Sequence, residues 1–128
     1  MNNYPKITDS EMEILQILWD KGPSSVRIVH DILCEIKKTG YTTTLKIMQI
    51  MFEKGLLTRD ESSKTHIYTA AISQSSGQKQ AVDKIIGSFF KGSSSSLVMH
   101  ALGNHKPSSK EIDEIKAYLD GLQENNIS

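Results

Sequence analysis

Three consecutive hydroxyls, Thr42, Thr43 and Thr44, precede Leu45-Lys46, with Gln49 three residues beyond the lysine. At a helix start, hydroxyls donate to phosphate oxygens and the free backbone amides favour anions. Lys46 and Gln49, one turn further on, have the reach and the polar groups to read base edges in a major groove. Taken alone, the same stretch equally describes an ordinary surface helix. Thr42 would then be its cap, Thr43 and Thr44 would be solvated, and Lys46 would be a surface charge.

Other reactive side chains form weaker patterns. His30 and Cys34 are four apart and share one helical face, but two ligands do not make a zinc site, which wants three or four. They read as a half-buried structural pair. His100 and His105 are five apart across Gly103-Asn104 and do not share a face. Ser96 beside His100 holds the atoms of a hydrolase pair, without the elbow or triad pattern a serine nucleophile needs. The Ser93–Ser96 run reads as a helix start instead. No phosphate-binding glycine motif occurs. No enzyme, metal or cofactor is expected.

The elements that must hold Thr42–Gln49 in place are legible. Thr8-Asp9-Ser10-Glu11 is a capping-box pattern opening a helix to about Lys21, stopped by Gly22-Pro23. A second helix follows Ser24 or Ser25 to about Lys38, its apolar stripe running through Val26, Val29, Ile32, Leu33 and Ile36. Thr39-Gly40-Tyr41 is a short turn, and Thr42 caps a third helix to about Lys54. Gly55 closes it. Leu56–Arg59 and Thr65–Ala70 then read as two strands around the polar turn 60–64. Three helices followed by a two-stranded hairpin predict a winged helix-turn-helix, whose third helix is the recognition helix.

Ser73–Gln78 is poor in apolar residues and reads as a linker. Three more helices follow, at about Lys79–Lys91, at about Ser95–Leu102, and after Ser108 or Ser109. Fold class is therefore mostly α: a winged helix over 1–72, a linker at 73–78 and a three-helix region over 79–128. A helical segment of this size seldom stands alone, and it has neither a cysteine nor a metal cluster to brace it. It is expected to pack against the same segment of a second chain, through Ile86, Phe89, Leu97, Val98, Ala101, Leu102, Ile112, Ile115, Leu119 and Leu122. Folding back onto the N-terminal domain is the alternative.

The chain's 128 residues carry 15 Lys+Arg and 15 Asp+Glu, which at first argues against nucleic acid. The balance also holds by parts, with nine of each sign in residues 1–70 and six of each in 71–128. Between Ile36 and Phe52, however, there are three lysines (Lys37, Lys38 and Lys46) and no acid. Arg59, Lys64 and His66 add a basic wing that can meet phosphates. The single Cys34 suits a reducing compartment, no apolar run reaches a membrane span, and Met1–Lys6 lacks the apolar core of a secretory signal. A cytoplasmic protein without membrane insertion is expected.

Several stretches carry a family resemblance. They are Ile7–Leu15 with Ile17-Leu18-Trp19, Tyr41–Lys46, Met51–Leu57, Ile67-Tyr68 and Ser96-Leu97-Val98. The chain resembles, over nearly its whole length, the penicillinase-repressor and methicillin-resistance-repressor family of bacterial transcription regulators. That resemblance implies a dimeric repressor whose winged helices bind a palindromic double-stranded operator, with no cofactor. By the same analogy Thr42, Thr43 and Lys46 fall on the DNA-contacting helix, and Arg59, Lys64 and His66 in the wing. Thr44, Gln49 and Lys38 complete the expected DNA-contacting set.

The departures are informative. Family members often carry Lys near position 42 and Arg near position 50, where this chain has Thr42 and Ile50. In antibiotic-responsive members a membrane sensor triggers proteolysis of an Asn-Phe bond, and the corresponding bond here is His100–Ala101. The Cys-rich motif of copper-responsive relatives is missing from this C-terminal half. A winged-helix module that binds protein partners rather than specific DNA is the rival function.

Overall fold

The computed structural model describes residues 6–126, which form six helices and one antiparallel hairpin. The chain divides into two units, residues 1–83 and 84–128.

In the first unit, α1 (Asp9–Lys21) opens with the predicted capping box. The Glu11 amide donates to Thr8 Oγ1 at 3.2 Å, and the Thr8 amide donates to Glu11 Oε1 at 2.9 Å. The helix ends at Gly22, whose φ of 86° lies in the left-handed region open to glycine. Ser25 caps α2 (Val26–Ile36), accepting from the Ile28 amide. α3 (Tyr41–Glu53) starts one residue before the expected cap. Gly40 is its N-cap and offers no side chain, so Thr42 lies inside the helix.

The wing is β1 (Leu57–Asp60) paired with β2 (Ile67–Ala70), Arg59 standing opposite Tyr68. Ser24 pairs with Tyr68 on the other side, the two residues exchanging backbone hydrogen bonds at 3.0 and 2.8 Å. This ties the start of α2 to the wing. The core lies between the three helices and the hairpin: Ile14, Leu15, Val29, Met48, Met51, Leu56, Leu57, Tyr68 and Ile72 are all fully or almost fully buried.

Residues 74–78 correct the expected linker, for they are the first turns of α4 (Gln74–Phe89). Ser73 Oγ accepts from the Ser76 amide, so the serines there begin a helix. Gly77 is buried because the Trp19 indole fills the space of a side chain; a Cβ at Gly77 would come within 2.5 Å of the ring. The indole Nε1 donates to the Ile72 carbonyl at 3.0 Å, and the Ile7 amide donates to Gln80 Oε1 at 2.7 Å. Within 73–78 only Gly77 is buried, against Trp19, while Ser73, Gln74, Ser75 and Gln78 are exposed, so composition alone reads the segment as a loop.

In the second unit, α4 ends in a turn at Lys91-Gly92, both with positive φ, and Ser93 caps α5 (Ser94–Asn104). Before α6 (Ser109–Asn126), Ser108 and Glu111 exchange hydrogen bonds in a second capping box. The Ser108 backbone amide, and then its hydroxyl, hold the Glu111 carboxyl below the ordinary carboxylate range. Because the folded value is the lower one, this contribution is complete above the ordinary carboxylate pKa and disappears as pH falls through the folded value. A carbon-13 titration of the Glu111 carboxyl should give a midpoint below that of a free glutamate. A midpoint at or above the free value would remove the box. No side chain of α5 or α6 is buried.

Candidate nucleic-acid interface

The two sides of α3 differ because its sequence places bulk and polarity at helical spacing. Met48 and Met51 point into the core, with Leu45 and Ile47 half-buried beside them. Thr42, Thr43, Lys46, Gln49 and Ile50 are exposed on the opposite side. Thr44 departs from expectation: it is completely buried, and its Oγ1 lies 2.9 Å from His30 Nδ1 and 3.4 Å from the Gly40 carbonyl. The third hydroxyl thus anchors the helix to α2 instead of facing outward. The uncapped first turn leaves backbone amides directed to the outside, beside Thr42 and Thr43.

An open groove of about 360 Å³ runs between α3, the start of α2 and the wing. Tyr41, Leu45 and Gln49 line it from α3, and Arg59, Lys64, Thr65 and His66 line it from the wing. Four of the predicted DNA-contacting residues, Gln49, Arg59, Lys64 and His66, therefore converge on one concavity. Lys64 is exposed in the hairpin turn, and Lys38 is exposed in the turn before α3. Lys37, by contrast, is paired with Glu13 of α1 at 2.9 Å.

Arg59 is less free than its position in a wing implied. Its guanidinium lies 4.0 Å from the centre of the Phe52 ring and is bonded to Glu61 at 2.7 Å, leaving the side chain 20% exposed. A side-chain hydrogen bond with Tyr68, and secondarily Glu61, raise its pKa further, so it is a fixed cation. Its aromatic stacking braces the wing against the end of α3.

One basic lining residue lies outside the set expected from sequence. Arg27, from the first turn of α2, places its guanidinium 4.3 Å from the centre of the Tyr41 ring. It is solvent-exposed, with a loose ion pair to Asp31 at 3.9 Å. The available signal was a basic residue in the first turn of the helix that must cross in front of the recognition helix.

The expected interface residues of the second unit carry an uncovered apolar surface. Phe89 is 78% exposed, Leu119 53% and Val98 46%, with Leu122 and Ile112 close behind. Ala101 is exposed, while Ile86, Leu97, Leu102 and Ile115 are half-buried. His100 and Ala101 lie exposed within α5. Among the described residues no group of three or more His, Cys, Asp or Glu could hold a metal ion, and no helix is long and apolar enough to cross a membrane.

The chain is similar to proteins of known role. The chain is 27% identical over 124 residues to a penicillinase repressor of Bacillus licheniformis, covering 94% of each. It is 23% identical over 118 residues to the methicillin resistance regulatory protein MecI of Staphylococcus aureus, covering 92% of this chain and 96% of that one. The solution structure of the DNA-binding domain of the repressor BlaI superposes with a TM-score of 0.52 at 23% identity, covering 59% of this chain and 92% of that domain. The three helices and wing are thus a winged-helix fold. The sequence pattern of the penicillinase repressor family matches residues 7–121, winged helix and C-terminal helices together, and the chain belongs to that family.

Proposed function

We propose that the protein is a DNA-binding transcriptional repressor that acts as a dimer on a palindromic operator, with α3 in the major groove and the wing on the backbone. The observation that carries this reading is the exposed side of α3, where Thr42, Thr43, Lys46 and Gln49 stand beside the basic wing groove. The repressor names of its relatives support it. Phosphate contacts come from Lys38, Lys64, His66 and Arg27, with Lys46 and Gln49 placed to read bases. The site of action is the cytoplasm. Proteolytic relief by a sensor-controlled protease would act at His100–Ala101, inside α5.

Binding to random duplex DNA across a salt series tests the basic claim. Affinity should fall with a log–log slope of about −0.9 for each phosphate neutralised. Lys46→Ala should cost about 1–3 kcal/mol of specific binding and relax preference at one base position. Specific binding unchanged in that variant would remove Lys46 from the interface. The net charge of zero keeps one rival in play, a winged helix that binds protein partners. No retention of the chain on duplex DNA even at low salt would favour that rival and overturn the repressor reading.

A further inference from the structure

Arg59, on β1, lines the groove beside α3, yet its charge is already met. Its Nε and one terminal nitrogen both reach a single oxygen of Glu61, Oε2, at 2.8 and 2.7 Å. The guanidinium lies over the Phe52 ring at 4.0 Å, and the Tyr68 ring is a second aromatic neighbour at 5.9 Å. Of the two partners the cation is the fixed one. Its side chain is 20% exposed and stacked, whereas that of Glu61 is 51% exposed.

A guanidinium grips a phosphate through two parallel N–H donors, one to each of two oxygens. Glu61 places one oxygen against two such donors, so it occupies the gripping edge without completing the fork. Lys64, which lines the same groove, makes no ion pair among the described residues. The neighbouring Asp60 is engaged elsewhere, its Oδ1 accepting from the Ser62 amide at 2.9 Å. The wing thus leaves its flexible cation open and closes off its rigid one.

We propose that Glu61 is a positioning residue for DNA binding, which holds Arg59 away from backbone phosphates and thereby keeps sequence-independent affinity low. The proposal rests on the repressor reading and names a restraint within that same site. Sequence-independent binding grows with each phosphate that a cation neutralises. A stacked arginine has little freedom left to lose on gripping a phosphate, so Arg59 is the wing cation whose release adds most. Glu61 withholds that contact, and its own charge repels the backbone. The pairing also explains how a wing with three basic side chains belongs to a chain of zero net charge.

Glu61→Gln tests the restraint, because the amide keeps the shape of the side chain and removes its charge. The full chain, wild type and variant, is titrated against random-sequence duplex DNA across a salt series. The log–log slope of the variant should be steeper by about 0.9, one further phosphate, with affinity raised about fivefold or more at about 0.1 M salt. Glu61→Ala should show the same two shifts. Asp60→Asn removes an adjacent charge while leaving the Arg59–Glu61 pair, and should leave the slope unchanged. Wild-type binding with an unaltered slope in both Glu61 variants would overturn the restraint and leave the repressor reading intact. An equal steepening in Asp60→Asn would assign the effect to bulk charge and overturn the route through Arg59. Absence of binding by wild type and variants alike, even at low salt, would overturn the repressor reading and the restraint together.

Discussion

Leu119→Asp is expected to turn the proposed dimer into a monomer in light scattering at micromolar concentration. Leu119 is 53% exposed in the single chain, on a helix with no buried side chain. Ile112, Ile115, Leu119 and Leu122 are spaced 3, 4 and 3 along α6, which aligns them as one stripe. Covering a leucine contributes about 1.5–3 kcal/mol, and a two-fold interface counts each substitution once per protomer. An aspartate in the same place must also lose its hydration without a partner. The combined loss should weaken dimerisation by at least about a hundredfold, since each 1.4 kcal/mol is a factor of ten. Operator affinity should drop with it, because the two half-sites are no longer joined. The winged helix should remain folded, as Leu119 belongs to the other unit. A full dimer in the variant would remove α6 from the interface.

The second large effect is expected from Glu11→Ala, in stability. The Glu11 side chain is 5% exposed and accepts from Lys54 Nζ with both carboxylate oxygens, at 2.8 and 2.9 Å. Lys54 also donates to the Lys6 carbonyl at 3.0 Å. One carboxylate thus closes the capping box of α1 and holds the C-cap of α3. Loss of the Thr8 amide bond to Glu11 costs about 0.5–1.5 kcal/mol, the Thr8 hydroxyl still capping the helix. Removing one partner of a fully buried pair costs about 3–5 kcal/mol, but Lys54 is 28% exposed and regains part of its hydration. A total of about 2–4 kcal/mol follows, a fall in Tm on the order of 10 °C or more for a domain of this size. Calorimetry of the variant checks it, and a change below about 1 kcal/mol would mean the pair contributes little. In a double-mutant cycle, adding Lys54→Met should cost less in the Glu11→Ala background than alone, because the ammonium has already lost its counter-charge.

Much of the winged helix was legible because its signals are short-range. Thr8 and Glu11 marked the start of α1, Gly22 marked its end, and alternating polarity at 67–70 marked β2. The outward residues of α3 were legible from side-chain chemistry, for Thr42, Thr43, Lys46 and Gln49 are all exposed. The misreadings share another cause. Thr42 looked like a cap because threonine usually is one, yet Gly40 takes that position. Thr44 looked solvated because hydroxyls usually are, yet His30, fourteen residues earlier, draws it inward. Residues 73–78 looked like a linker because nothing nearby in the chain announced Trp19.

The charge balance of 15 against 15 illustrates the same division. Sequence alone determined the order and type of the elements and a lysine-bearing stretch without acids around the third helix, since each depends on residues within a few positions of one another, and the family, from stretches spread along the chain. Only the tertiary structure decided which charges remain available. Lys37 is matched by Glu13, Lys54 by Glu11 and Arg59 by Glu61, while Lys46 and Lys64 are exposed and Arg27 has only a loose pair with Asp31. The pairings of Lys37 and Lys54 join residues 24 and 43 positions apart. Such contacts follow from how helices pack over the shared core, and Coulomb energy depends on distance in space, to which position along the chain is a poor guide.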